Sequence, residues 1–401
     1  MAYRRNRAIR RKKRPAWHIG LVAVGTAGLV AVGLTYLHVP AAPWVGSTEA
    51  RATEPLAPVP SVRTVVAESP ADLPMETAEQ LSGLGDKALS EGRWDAAIGH
   101  YRRATELAPD GAIAWARWAR ALVYQSRASE AVEKAQQAVN LDPRGTEPRI
   151  TLALALDWHG QSAKAIQVAL RAVADDPSSP AALGVLAEAY TDQYRLSEAE
   201  DTLERALRIA PNDPELLRIL GNLQETRTEY RDAADTYRRA IAIAPSWSHL
   251  HVALGNALRA SKQFEEAVTA YTRASELSPS DARAQGGIGM VFYAREQPES
   301  ALPYLHRALE IDPRYPSAYA QLAWIYYARR DYDHALPLLQ KAVELDQDRS
   351  RLAQYRHAIG WIYMNTRRQT DAKEQFALAL QLNPSLEGAK DGLAILQGKR
   401  N

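Results

Sequence analysis

Small and apolar residues recur along this chain with a period of 34. Ala97, Ala131, Ala165, Ala199, Ala233, Ala267 and Ala301 stand 34 apart, and each is followed seven residues later by another alanine, from Ala104 to Ala308. Five residues further on comes a proline, from Pro109 to Pro313. Two more units follow, one with Ala335 and Ala342 but Gln347 in the proline slot, the last with Ala372, Ala379 and Pro384 after a three-residue insertion near residues 350–352. Inside a unit the apolar spacing is helical twice over. Leu217, Leu220, Gly221 and Gln224 share one face of a first helix, and Ala233, Tyr237 and Ala240 share one face of a second. A fixed period of this size predicts a stack of identical helix pairs, not a closed globule.

The pattern also predicts how the pairs pack. Two helices approach closely only where side chains are small, so Gly221 and Ala233 mark a crossing and Tyr237 fills space toward the neighbouring unit. Pro245 stops the second helix, because it lacks an amide proton and clashes with the preceding turn. No unit can bury its apolar face alone, so neighbours supply the rest of the core. The predicted units are 78–111, 112–145, 146–179, 180–213, 214–247, 248–281, 282–315, 316–349 and 353–386, with residues 387–401 as a capping helix and tail.

The register resembles the tetratricopeptide repeat family. That family places large apolar residues at positions four and seven, a small residue at eight, alanines at twenty and twenty-seven, an aromatic at twenty-four and proline at thirty-two. The fifth unit matches with Leu217, Leu220, Gly221, Ala233, Tyr237, Ala240 and Pro245, and the sixth with Leu254, Gly255, Ala267, Tyr271, Ala274 and Pro279. Arg149 and His251 depart from it at the first apolar slot. The resemblance implies an all-α solenoid of nine helix-turn-helix units.

Ahead of the repeats the pattern changes. Residues 1–15 carry eight Arg and Lys and no acid, a basic arm, and residues 17–38 then run without Asp, Glu, Lys or Arg. As a helix of about 1.5 Å per residue, this stretch is long enough to cross a bilayer core of about 30 Å. Residues 16–39 are therefore expected to be a transmembrane signal anchor, with Trp17, Tyr36 and Trp44 at the interfaces. The basic arm predicts a cytoplasmic N-terminus and an extracytoplasmic array. The alternative is a cleaved signal peptide, disfavoured because its apolar core is usually about 7–15 residues. Ala23, Ala27 and Ala31 form a small-residue stripe that could pair anchor helices into a dimer. Residues 40–77 hold seven prolines and read as an extended linker.

Charge and composition narrow the function. The net charge of +2 becomes −6 once the eight basic residues of the arm are set aside, with 41 basic against 47 acidic residues remaining. A mildly acidic array gives no footprint for nucleic acid. Only ten of the 49 basic residues are lysine, an arginine bias that points to a bacterial source, in which the expected anchor would lie in the inner membrane. Cysteine is absent, which removes disulfides, thiol catalysis and cysteine metal sites. There is no phosphate-binding glycine loop, no zinc helix and no nucleophile elbow, so neither cofactor, metal nor enzymatic activity is expected. His249 and His251, two apart on one helix, face different ways and cannot easily share a metal.

What remains is binding of a protein or peptide. In the family the first helix of each unit lines a concave groove, through positions two, five, nine, twelve and thirteen. The resemblance thus implies a basic spot at Arg117 and Arg120, and a mixed polar stretch of Glu188, Asp192, Glu215, Arg218, Asn222, Glu225 and Asn256. It also implies an aromatic end of Met290, Tyr293, Trp324, Tyr327, Trp361 and Met364. Trp324 and Trp361 hold the same position in successive units, so their rings are expected side by side as a pocket for apolar or aromatic side chains. Asn222 and Asn256 are similar to the asparagine ladder by which some members hold a peptide backbone. Ser82 and Asp86 depart from the family's clamp for chaperone tails. The expected role is a membrane-tethered adaptor, with a subunit of a cell-envelope machine or a secreted binding protein as alternatives.

Overall fold

The computed structural model describes residues 76–346 and 349–398. The expected arm, membrane anchor and dimer stripe, and all of the linker but Glu76 and Thr77, lie outside them. Among the described residues no helix is long and apolar enough to cross a membrane. All regular structure there is helical, in nineteen helices.

The first helices of the units are α1 (Ala78–Ser90), α3 (Ala112–Tyr124), α5 (Thr146–Trp158), α7 (Pro180–Asp192), α9 (Pro214–Thr226), α11 (Ser248–Ala260), α13 (Ala282–Ala294), α15 (Pro316–Ala328) and α17 (Arg349–Asn365). The second helices are α2 (Trp94–Leu107), α4 (Ala128–Leu141), α6 (Ser162–Asp175), α8 (Leu196–Ile209), α10 (Tyr230–Ile243), α12 (Phe264–Leu277), α14 (Pro298–Ile311), α16 (Tyr332–Leu345) and α18 (Gln369–Leu382). The last helix, α19 (Glu387–Leu396), packs on α17 and α18. The insertion near residue 350 forms no loop. It sits in α17, which has 17 residues where the other first helices have 13, roughly one extra turn.

Capping explains the regular turns. Thr77 and Gln80 form a reciprocal capping box on α1, and Asp213 accepts from the amides of Glu215 and Leu216 at the start of α9. The residue two after each first helix has positive φ in all nine units, yet it is glycine only at Gly92 and Gly160. The next amide then bonds back five residues, as from Glu229 to the Gln224 carbonyl at 2.8 Å. Thr228 occupies this left-handed position at φ 65° with a branched side chain. Thr228→Gly is therefore expected to stabilise the array by about 1 kcal/mol, read as a raised urea midpoint; an unchanged or lowered midpoint would contradict it.

The core is a ladder of alanines closed in units 1, 5, 6 and 9 by a ring (Tyr101, Tyr237, Tyr271, Phe376) and in units 4, 7 and 8 by a leucine (Leu203, Leu305, Leu339). Ala233, Tyr237 and Ala240 are buried, as are Ala267, Tyr271 and Ala274. The Tyr237 ring lies directly over Gly221, leaving no room there for a Cβ. Tyr237 thus closes the helix crossing within its own unit, where the sequence pattern pointed it toward the neighbour. Tyr271 does both, covering Gly255 of its own unit and Gly287 of the next.

Curvature is uneven. The first helices α3, α5, α7 and α9 pack directly on one another along the inner side, and this contact weakens from α9 onward. In consequence α5 is buried continuously from Ile150 to Asp157 and α7 from Ala182 to Thr191. The tight coil brings the inter-helix turns of units 1–3 against the junctions of unit 6 with units 5 and 7.

Candidate functional site

The inner wall has two parts, one closed and one open. In the closed part Trp94 Nε1 donates to Ser248 Oγ at 3.3 Å across 154 residues of sequence. The Tyr124 ring stacks on His249 with centroids 4.8 Å apart and planes 8° from parallel. Trp247 packs on both Trp94 and Tyr124. Arg283 donates to the Tyr124 carbonyl at 2.9 Å, and Ser280 bonds Asp95 at 3.1 Å. Gly92 admits this approach because it is left-handed and because a Cβ there would collide with the Ser246 carbonyl.

Behind the seam lies a buried ion network. Arg218 is 6 % exposed and Glu188 4 %, and they pair through two bonds of 2.8 and 2.7 Å. Arg218 Nε also donates to Glu215 at 2.7 Å, and the other Glu215 oxygen meets His249 Nε2 at 3.1 Å. Burial alone would raise the Glu215 pKa, but Arg218 and His249 outweigh it and hold its carboxyl well below the usual range. A carboxylate only accepts, so His249 Nε2 is the donor and Nδ1 is left buried with no partner. Burial lowers the His249 pKa, and the cations Arg218 and Arg283 add to this against the opposing pull of Glu215.

Asp157, 2 % exposed, has neither oxygen in a well-formed hydrogen bond. Burial, and then the Asp192 carboxylate, push its pKa upward; Ser162 supplies only a weak counter-pull. Asp192 is raised by burial within the concavity and by Glu188. Its own surface is open to solvent, which screens the effect, so Asp157 is the group most strongly biased toward its neutral form.

These positions correct several expectations. Arg117 pairs with Asp86 at 2.5 Å and with Glu147 at 3.5 Å, and Arg120 lies 3.8 Å from Glu147, so the expected basic spot is neutralised. Arg218 serves the interior and cannot meet a ligand while buried. The Asn256 side-chain Oδ1 accepts from Tyr271 Oη at 2.7 Å, so one of its two ends is already engaged within its own unit. Asp86 accepts from Tyr101 in the same way in the first unit, at 2.8 Å. Asn222 is half-buried and turned toward Asp192. His249 and His251 do point apart: His251 bonds the Pro245 carbonyl at 3.0 Å, far from the Glu215 partner of His249.

The open part is the aromatic end. Met290, Trp324, Tyr327, Trp361 and Met364 are half-buried, and Tyr293 is 37 % exposed. Trp324 meets Tyr327 edge-on at 6.0 Å. Trp361 packs on Phe376 at 5.6 Å, and its indole donates to His357 Nε2 at 2.8 Å. Among the described residues no ring contact joins the two indoles, expected side by side; each is held by rings of its own unit. Leu322, Ile359 and Tyr363 fill the core behind them.

Profiles described as tetratricopeptide repeat match residues 83–146 and 252–316, residues 159–223 and 292–359, and residues 353–386. The array is built of tetratricopeptide repeats. Its fold is shared with 421 chains of solved structures. One is found in the crystal structure of the APC/C hetero-tetramer Cut9-Hcn1, with a TM-score of 0.60, 16 % identity, and coverage of 80 % of this chain and 67 % of that one. Likeness at that identity concerns the fold alone. No curated protein matches the chain. The fold is one typical of protein–protein interaction scaffolds.

The seam residues Trp94, Tyr124, Trp247 and Arg283, with Trp158, whose ring lies 6.0 Å from the Arg283 guanidinium, escaped the sequence reading. A 34-residue register specifies contacts between neighbours, and nothing in it marks pairings such as Trp94 with Trp247 or Tyr124 with His249.

Proposed function

We propose that this chain is a protein-binding scaffold that captures a partner segment on the open inner wall of units 7–9. The observation that carries this reading is the row Met290, Tyr293, Trp324, Tyr327, Trp361 and Met364, half-buried or exposed at inner positions, where Arg117, Arg120, Arg218 and His249 of units 2, 5 and 6 are already engaged by the chain's own residues. Such a surface suits apolar or aromatic side chains of an extended or helical segment. The apolar stretch at residues 17–38 supports tethering to a bacterial inner membrane with the array on the far side, where the anchor would raise local concentration.

Crosslinking in intact cells would recover the partner. Its binding by titration calorimetry is then expected to weaken by about 2 kcal/mol, roughly 30-fold, in Trp324→Ala and in Trp361→Ala. Equal affinity in both variants would remove the docking surface. Mass spectrometry of the mature N-terminus tests the tether separately, since cleavage after residue 39 would leave a secreted scaffold.

A further inference from the structure

The seam between units 1–3 and units 5–7 is built differently from the rest of the array. Trp94 and Tyr124 are 2 % and 6 % exposed, yet neither belongs to the apolar clusters built on the alanine ladder. Their burial depends on units half the array away: Trp94 on Trp247, Ser248 and His249, Tyr124 on Trp247, His249 and Arg283. The seam also leaves polar atoms buried without partners, namely Trp247 Nε1 and His249 Nδ1. Each such atom costs about 1–3 kcal/mol, which neighbour-to-neighbour packing does not require. Every unit can keep its own helix pair and both its neighbours with the seam parted.

We propose that this seam is a releasable clasp, in which Trp247 and His249 occupy the chain's own groove, and that protonation of His249 releases it to uncover the inner wall of units 2–6. The proposal concerns access to the groove and stands whether or not units 7–9 bind a partner.

The charges facing His249 set the direction. Glu215 on α9 takes the Nε2 proton, so the added proton must go to Nδ1, where no acceptor lies. Arg218 on α9 and Arg283 on α13 both oppose the new positive charge. Their own partners, Glu188 and Glu215 for Arg218 and Asp281 for Arg283, are already engaged. The faces presented by α2 and α3 are the rings of Trp94 and Tyr124, which offer no carboxylate. A group whose folded pKa is lowered contributes stability that is present above its unfolded value of about 6.5 and lost as pH falls through the folded one. Asp157 and Asp192 take up protons in the acid direction too and act in the opposite sense, but they lie within one wall, on α5 and α7, and their mutual repulsion does not span the seam.

The absence of cysteine allows a direct test in the full chain. Spin labels on Glu91→Cys and Glu276→Cys, both exposed, report the distance across the seam. Gly92→Asn keeps a residue that tolerates positive φ but drives its side chain into the Ser246 carbonyl. In this variant at neutral pH the distance distribution is expected to lengthen and broaden, and tryptophan emission to shift red, with helical circular dichroism retained. The wild-type chain is expected to show the same change as pH falls from about 7.5 to about 5. His249→Gln keeps a donor toward Glu215 without a titrating proton, and stays closed at both values. The clasp is overturned if Gly92→Asn leaves the distance unaltered, or if helix is lost in step with opening. The proton trigger is overturned if the wild-type chain stays closed in acid or if His249→Gln opens there as the wild type does.

Discussion

Arg218→Ala is expected to destabilise the array by about 3–5 kcal/mol, the cost of leaving a buried charge without its partner. Arg218 is the sole cation bonded to Glu188 among the described residues, and Glu188 cannot turn to solvent from a helix buried along ten consecutive residues. Burial opposes the charge of Arg218, but the two glutamates that flank it more than compensate. Arg218→Met combined with Glu188→Gln, which removes both charges, should cost clearly less than Arg218→Ala alone, because desolvation of the pair is relieved along with its attraction. Urea unfolding followed by far-ultraviolet circular dichroism measures both. A loss below about 1 kcal/mol for Arg218→Ala would place the pair with ordinary surface bridges.

Tyr271→Ala is expected to cost about 3–5 kcal/mol, in the range of large-to-small changes at buried aromatic sites. The ring is fully buried, and the glycines on either side of it, Gly255 and Gly287, have no side chains with which to refill the space. Since Gly287 belongs to the seventh unit, the cavity lies on the interface between units 6 and 7. Stability in such arrays is close to a sum of unit and interface contributions. The variant should therefore unfold in two steps, units 7–9 separating from the rest, where the parent unfolds in fewer. Tyr271→Phe, which keeps the ring and loses only the bond to Asn256, should cost about 1 kcal/mol. Equal losses for the two variants would show that the hydroxyl, not the ring, holds the interface.

Both effects were legible to different degrees in the amino-acid sequence. Tyr271 sits at the aromatic position of its unit, eight residues short of Pro279, and its place in the core followed from the register. Arg218 also followed from the register, but to the wrong surroundings: its inner position implied a polar groove lining, and it is buried. The same reversal holds for Arg117 and Arg120, whose charges are met by Asp86 and Glu147 from adjoining units. A position on a helix face tells which way a side chain points. It does not tell whether water or another wall lies opposite.

That distinction separates what the chain's own pattern determined from what folding in three dimensions decided. Period, helix pairs and the alanine crossings, with a ring over a glycine in units 1, 5, 6 and 9, are contacts between residues about 10 to 35 apart, so each unit restates the same instruction. The aromatic row of units 7–9 came from the same register. The radius of the coil did not. It depends on how closely α3, α5, α7 and α9 approach, a sum of small rotations at each interface that no single residue encodes. Those rotations accumulate until Trp94 and Tyr124 meet Trp247 and His249, and so determine which part of the inner wall is shut and which stays open to a partner.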